Sequence, residues 1–263
     1  MGGKCKFLTY VGGFPLKDNQ NETKPQKSKK KLSVILIAVF AALAIIGLLV
    51  FLFWPNIKVM FTVLKLKNAD VGETFTLGTY EQDGNTSNGA EEVEWILLAK
   101  EGDKALVISK YALDCIPYNS DFESSSWETC TLRTWLNDDF YNTTFSKAEK
   151  RAIAITTVSA DANPKFGTDP GKDTQDPMFL LSVNETEKYV SDRDYLKCKP
   201  TKYATYGQIE TSKAGHCKWW LRSPGLNPSD ATAVGFWGYV YGQGNYVFFQ
   251  FYGVRPAMWI DLK

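Results

Sequence analysis

Nine of the seventeen residues from Phe236 to Tyr252 are aromatic, interleaved with Gln243, Asn245 and three glycines. The chemistry this offers is contact rather than bond-making: rigid rings give apolar area at low entropy cost, and amides read polar groups. Side chains alternate along an extended strand, so the adjacent pairs Phe236–Trp237 and Phe248–Phe249 must point both ways. Two readings follow. Either some of these rings reach the surface and form a binding face, or the strand packs a core on both sides.

Other reactive side chains are sparse. His216 is the single histidine, and its neighbour Cys217 does not complete a zinc set, which needs four converging ligands. No CxxC, GxSxG, HExxH or Walker sequence occurs. General acid–base work is left to carboxylates, with Asp138 and Glu149 as one candidate pair. Two carboxyls about 5–9 Å apart in a cleft would support a hydrolase of glycosidase type. Asp161, Asp169, Asp173 and Asp176 lie in one loop and could bind calcium if they converged, but fit no EF-hand spacing. Arg222 and Arg255 sit beside proline and aromatic residues. They could contact an anionic ligand, or serve structurally by satisfying carbonyls and carboxylates of irregular loops. Trp219, Trp220, Trp259 and Ile260 are core candidates.

The element that carries all this is a membrane anchor. Leu32 to Trp54 holds no charge, and twenty-three helical residues span about 34 Å, enough for a bilayer core of about 30 Å. The run is too long for a signal-peptide core, and its exit, FLFWPNIK, has no small-x-small cleavage site. Eight lysines against Asp18 and Glu22 give the leader +6, so a chain of net +1 leaves −5 after Lys31. The positive-inside tendency therefore places residues 1–31 in the cytoplasm and the large domain outside the cell membrane. The leader, rich in Asn, Gln, Lys and Pro, reads as disordered. A mildly acidic outer domain without a basic stripe argues against nucleic acid. Four cysteines, Cys115, Cys130, Cys198 and Cys217, fall outside and permit three pairings.

Residues 55–69 read as a juxtamembrane stem that could continue the helix, and residues 70–263 as one domain large enough for a full core. VGETFTLGTY alternates as a strand. VEWILLAKEGDKALVIS reads as a hairpin turning at Gly102. Leu132, Trp135, Leu136 and Phe140 recur at helical spacing. Ser146 with Glu149 and Ser182 with Glu185 are capping boxes, with Phe145 placed as a staple. The loop between them, DANPKFGTDPGKDTQDP, reads as solvated.

Taken together, LRTWLNDDF, FLLSVNETEKY, WWLRSPG and YGVRPAMWI resemble a family of membrane-anchored bacterial domains of unassigned function. That family resembles a branch of the C-type-lectin-like fold, related to formylglycine-generating enzymes. The resemblance implies an α+β domain with a small twisted antiparallel sheet behind a single transmembrane helix. Some members look like targets of diversity-generating retroelements, which rewrite chosen codons of a displayed domain. Carried onto this chain, Val234, Gly238, Val240, Gly244 and Val247 would be framework. Phe236, Trp237, Tyr239, Tyr241, Gln243, Asn245, Tyr246, Phe248 and Phe249 would be the varying, ligand-binding positions. Trp135, Trp219, Trp220, Arg222, Arg255 and Trp259 would be structural. Trp135-Leu136-Asn137-Asp138 has a residue intruding on the Trp-Asn-Asp calcium motif of sugar-binding lectins, and no C-terminal redox cysteine pair is present.

The expectation is a surface-displayed, non-enzymatic recognition domain for an extracellular protein or glycan, held by membrane lipid around residues 32–54. No cofactor is required, calcium being a weak exception. A second copy of the domain could cover the aromatic face. The alternatives are a structural envelope protein and a carboxylate-dependent hydrolase. Helices are expected near 132–141 and 146–153, and the 70–80 and 253–260 strands are expected to be neighbours.

Overall fold

A computed structural model describes residues 27–263 together with Gly2, Gly12 and Gly13; side chains are described from Val34 onward. The leader expected to be disordered, with Cys5, lies largely outside the described residues. The chain divides into two units between Leu52 and Phe53.

In the first unit, helix α1 begins; it runs Lys27–Asn68 with Pro55 inside it. From Val34 it is long and apolar enough to cross a membrane, and its most apolar stretch is unburied. The Leu, Ile, Val and Phe side chains there are exposed, which is consistent with a single membrane-spanning segment.

In the second unit, the last turns of α1 are part of the domain rather than a free stem. Leu66 is fully buried, Val59 and Val63 pack on the core, and Lys65 Nζ donates to Thr74 O at 3.0 Å. The strands are β1 (Thr74–Tyr80), β2 (Glu91–Glu101), β3 (Lys104–Ser109), β4 (Asp114–Cys115), β5 (Ile153–Ala154), β6 (Thr156–Val158) and β7 (Thr174–Asp176). They continue with β8 (Trp219–Pro224), β9 (Asp230–Val234), β10 (Val240–Tyr246), β11 (Gly253–Val254) and β12 (Ala257–Asp261). The short helices are α2 (Thr131–Trp135), α3 (Tyr141–Thr144), α4 (Lys147–Lys150), α5 (Val183–Tyr189) and α6 (Lys202–Thr205).

Two five-stranded sheets, ordered β1-β2-β3-β12-β5 and β10-β9-β8-β11-β4, make an α+β domain, with β6 and β7 paired apart. The pairs are antiparallel save a single parallel contact of Gly253 with Trp219. The β2–β3 hairpin turns at Gly102, where the sequence placed it. The expected adjacency of the first and last strands is wrong. β12 pairs with β3 and β5, and two strands separate it from β1. β3, a six-residue strand buried in all but its first residue, is the better partner for the apolar β12.

The first expected helix is three segments. α2 and α3 flank a π-helical turn, Leu136–Phe140, so the extra residue suspected within the Trp135–Asp138 stretch lies where the helix widens. Asn137 there is engaged structurally, donating to Arg133 O at 3.0 Å and accepting from Met178 N at 3.1 Å. The second expected helix is shorter than 146–153, a single turn at α4. Both capping boxes form, and Glu149 also accepts the Gly78 N–H of β1 at 3.0 Å, tying helix to sheet.

Trp95, Trp219, Trp220, Leu106, Val254 and Ile260 belong to one core cluster drawing on both sheets. Each buried indole finds an acceptor: Trp95 donates to Leu77 O at 2.8 Å, Trp219 to Leu196 O at 2.9 Å and Trp220 to Ile116 O at 3.2 Å. A buried indole N–H left unpaired would cost about 1–3 kcal/mol.

Candidate recognition face

β10 is the edge of the second sheet and pairs with β9 alone, Val240 opposite Val234 and Tyr246 opposite Asp230. β8 and β9 behind it are wholly buried, whereas β10 is exposed or half-buried throughout. Between Tyr241 and Asn245 the register shifts. Gly244 sits there at φ +76°, and a Cβ on it would lie 2.6 Å from Ala231 O. This bulge keeps β10 close to β9 while re-aiming its side chains.

The nine positions carried over by resemblance are all exposed or half-buried, while Val234, Gly238 and Val247 are buried. Of the rings, Trp237 and Tyr239 are the most open, at 55% and 60% exposure. Gly238 between them has φ +76°, and its missing side chain makes room for Arg193 O, 2.7 Å from where a Cβ would stand. Val240 and Gly244, the other two framework positions, are half-buried.

The rings fall into two groups. Trp237 and Tyr239 line an open groove of about 860 Å³ whose other wall is the segment from Thr186 to Lys197. That wall carries Glu187, Asp192, Arg193, Asp194 and Lys197. The Arg193 guanidinium lies 4.3 Å from the Tyr239 ring centre. Asp194 pairs with Lys197 at 2.7 Å, and that hydrogen bond holds its carboxyl below the usual range. The second group is Phe122, Tyr246, Phe248 and Phe249, whose ring centres lie 5.1–5.8 Å apart in the contacting pairs, mostly edge to face. Phe236 is half-buried with Lys218 Nζ 4.9 Å from its ring centre.

The aspartate-rich loop braces this face instead of collecting calcium. Asn163, buried, donates to Pro224 O at 2.9 Å and to Gly242 O at 2.7 Å, and Thr168 Oγ1 donates to Gly225 O at 2.8 Å. Its four carboxylates do not converge; each is engaged elsewhere. Asp161 accepts from Ser182 and Arg222, Asp169 from Gly171 N, and Asp173 from Ala160 N. Asp176 is buried and accepts from Arg133, Trp127 and Thr174.

The three carboxylates that do converge are Glu81, Asp83 and Glu91, with candidate ligand atoms all within 4.8 Å of one another. They are half-buried and could hold a divalent cation. Hydrogen bonds from Asn88 and from Asn85 N already hold the Asp83 carboxyl low. The signal in sequence was Glu-x-Asp opposite Glu91 across a short glycine-bearing loop. Equally unforeseen were Arg193 and its acidic neighbours, which stand in a turn following α5, and Phe122, isolated in a serine-rich loop.

Of the other candidates, Arg222 is buried and donates to Leu180 O at 2.8 Å, Asp161 at 3.3 Å and Glu185. Arg255 is buried and donates to Ser109 O at 2.9 Å and Tyr195 O at 2.7 Å. Trp135 and Trp259 are half-buried at the core margin. Glu149 is taken up by its capping box, while Asp138 is exposed.

The profile of one protein family, described as "Domain of unknown function (DUF6273)", matches residues 102–262. Neither the curated proteins nor the solved structures give a match.

Proposed function

Because this chain belongs to the DUF6273 family, whose matched stretch holds every residue of the aromatic face, we propose that the domain is a recognition module displayed outside the membrane. Its ligand is an extracellular protein or glycan. The fold reading that goes with this is C-type-lectin-like, with β10 and its flanking turns as the variable part.

The observation that carries the reading is the sorting of residues 234–249. Rings and amides on the edge strand and its flanking turns are exposed or half-buried, while Val234, Gly238 and Val247 are buried. Exposed side chains such as Trp237 and Gln243 can change at little cost to stability, and this is the property a diversified face needs. Such a face also suits aromatic anchors surrounded by adaptable polar groups. The groove adds a second feature: rings beside Asp192, Arg193 and Asp194 offer stacking and hydrogen bonding to one ligand.

Two experiments test this. Detergent-solubilised full chain is applied to arrays of glycans and of bacterial and host surface proteins. A ligand lost on Trp237→Ser together with Tyr239→Ser supports the reading; a ligand retained by that variant places recognition elsewhere. Copies of the gene in related genomes test diversification. Differences confined to the nine positions support it, and differences spread evenly through 70–263 contradict it.

A further inference from the structure

We propose that Cys198 and Cys217 are a modification site, joined in an intrachain disulfide made by exchange with an external disulfide. They stand opposite each other in an antiparallel bridge, with Cys217 N donating to Cys198 O at 2.8 Å. Directly opposed antiparallel residues have Cα atoms about 4.5–5.5 Å apart, inside the range a disulfide accepts. Both side chains are buried, at 1% and 0% exposure, and Cys198 Sγ lies 3.5 Å from Lys199 O and 3.8 Å from Lys110 O.

Neither of the other two cysteines stands opposite another cysteine in a bridge, Cys115 being paired with Gly253. Cys115 Sγ is directed at Gly207 O and Gln250 O, 3.1 and 3.0 Å away. Cys130 Sγ serves as the N-cap of α2, accepting from Arg133 N at 3.4 Å. Burial pushes both of these thiols up to about 12, so neither ionises readily. Cys198 behaves differently. Burial opposes its ionisation, but the Cys217 thiol and the Arg255 guanidinium outweigh that and pull it below the usual thiol range. Among the described residues Arg255 has no carboxylate partner; it is buried, with carbonyl acceptors and the Trp219 ring 5.0 Å away.

The reaction is a balanced two-step exchange. One cysteine thiolate attacks a sulfur of an external disulfide, forming a mixed disulfide and releasing one external thiol. The second cysteine then loses its proton and displaces the remaining external sulfur, which takes that proton and leaves as a thiol. Two S–H bonds on this chain give one S–S bond, and the external disulfide is reduced to two thiols. Because both sulfurs are buried, this takes place while the region is still closing. The loop it seals, 199–216, carries α6, and Leu196 and Lys197 just ahead of it belong to the groove wall. The cross-link would pin that wall, independently of what the groove binds.

The test has two arms on the full chain. In the first, protein isolated from membranes without reductant is denatured, blocked with N-ethylmaleimide and mapped by mass spectrometry. In the second, solubilised protein is denatured, refolded in a mixture of oxidised and reduced glutathione, and mapped in the same way. The proposal expects a Cys198–Cys217 linked peptide, lighter by two hydrogens than the dithiol pair, with Cys115 and Cys130 alkylated. Cys198→Ser should abolish it without creating a Cys115–Cys217 link. A link in the glutathione arm alone supports the proposal and contradicts display outside the cell. Full alkylation of Cys198 and Cys217 in both arms, or a link that uses Cys115 or Cys130, overturns it.

Discussion

The Arg193 guanidinium rests 4.3 Å from the centre of the Tyr239 ring, and the Arg193 carbonyl fills the space a side chain at position 238 would need. One residue thus fixes the turn twice, by its backbone beneath Gly238 and by its charge over Tyr239. Gly238→Ala should therefore meet both a left-handed backbone and a carbonyl. The expected cost is about 1–2 kcal/mol from the backbone conformation alone, read as a lowered unfolding midpoint. Faster amide exchange at residues 235–240 should accompany it. An unchanged midpoint would show that the turn is not held this way.

Arg222 is the buried pin of the second sheet. Its fork joins Leu180 O, Glu185 and Asp161 to β8. Arg222→Ala removes the charged partner of two part-exposed carboxylates and the donor to a buried carbonyl, which should destabilise the domain by about 1–3 kcal/mol. Arg222→Lys should recover only part of this, because an ammonium cannot reproduce the fork. Urea unfolding of the three proteins checks the order.

Asp114 predicts a pH dependence. Burial raises its carboxyl above the ordinary range, against the lowering effect of the Tyr80 hydroxyl, 2.5 Å away, and of Cys115 N. A carboxyl raised on folding stabilises the protonated domain. That contribution is full below the unfolded value of about 3.9 and is lost as pH rises through the folded value. Asp114→Asn keeps an acceptor for Tyr80 and removes the charge. Unfolding midpoints should therefore fall less steeply with rising pH in the variant than in wild type, and equal slopes would contradict the assignment.

The charge asymmetry across the apolar run predicts topology. Protease added to intact cells or spheroplasts should remove residues beyond the span and leave a small membrane stub. A fully protected C-terminal domain would reverse the orientation.

What was legible in the sequence was local. The hairpin at Gly102, the capping boxes at Ser146 and Ser182 and the apolar run each depend on neighbours a few residues away. What was not legible depended on distant partners. β12 chose β3 over β1 through a match of buried faces that no local pattern encodes. The aspartates of the 161–176 loop gave no sign that Arg133 would claim Asp176, or that Arg222 and Ser182 would claim Asp161, through long-range contacts. Failed alternation around Phe248 and Phe249 was the readable trace of the face, since Phe248 is exposed and Phe249 is half-buried against Phe251. The charged wall opposite Trp237 left none, because only tertiary packing brings Arg193 to Tyr239.

The central claim is that the 236–249 rings act outward, and one comparison tests it most directly: affinity of the Trp237→Ser, Tyr239→Ser, Tyr241→Ser triple variant for the array-identified ligand. Exposed substitutions away from packing shift stability by about 0.5 kcal/mol or less each, so this variant should fold, with an unfolding midpoint close to wild type. Loss of anchor rings from a binding face costs about 2 kcal/mol or more each, so affinity should drop by well over tenfold. A folded variant that binds as wild type does, or one that unfolds, would contradict the account.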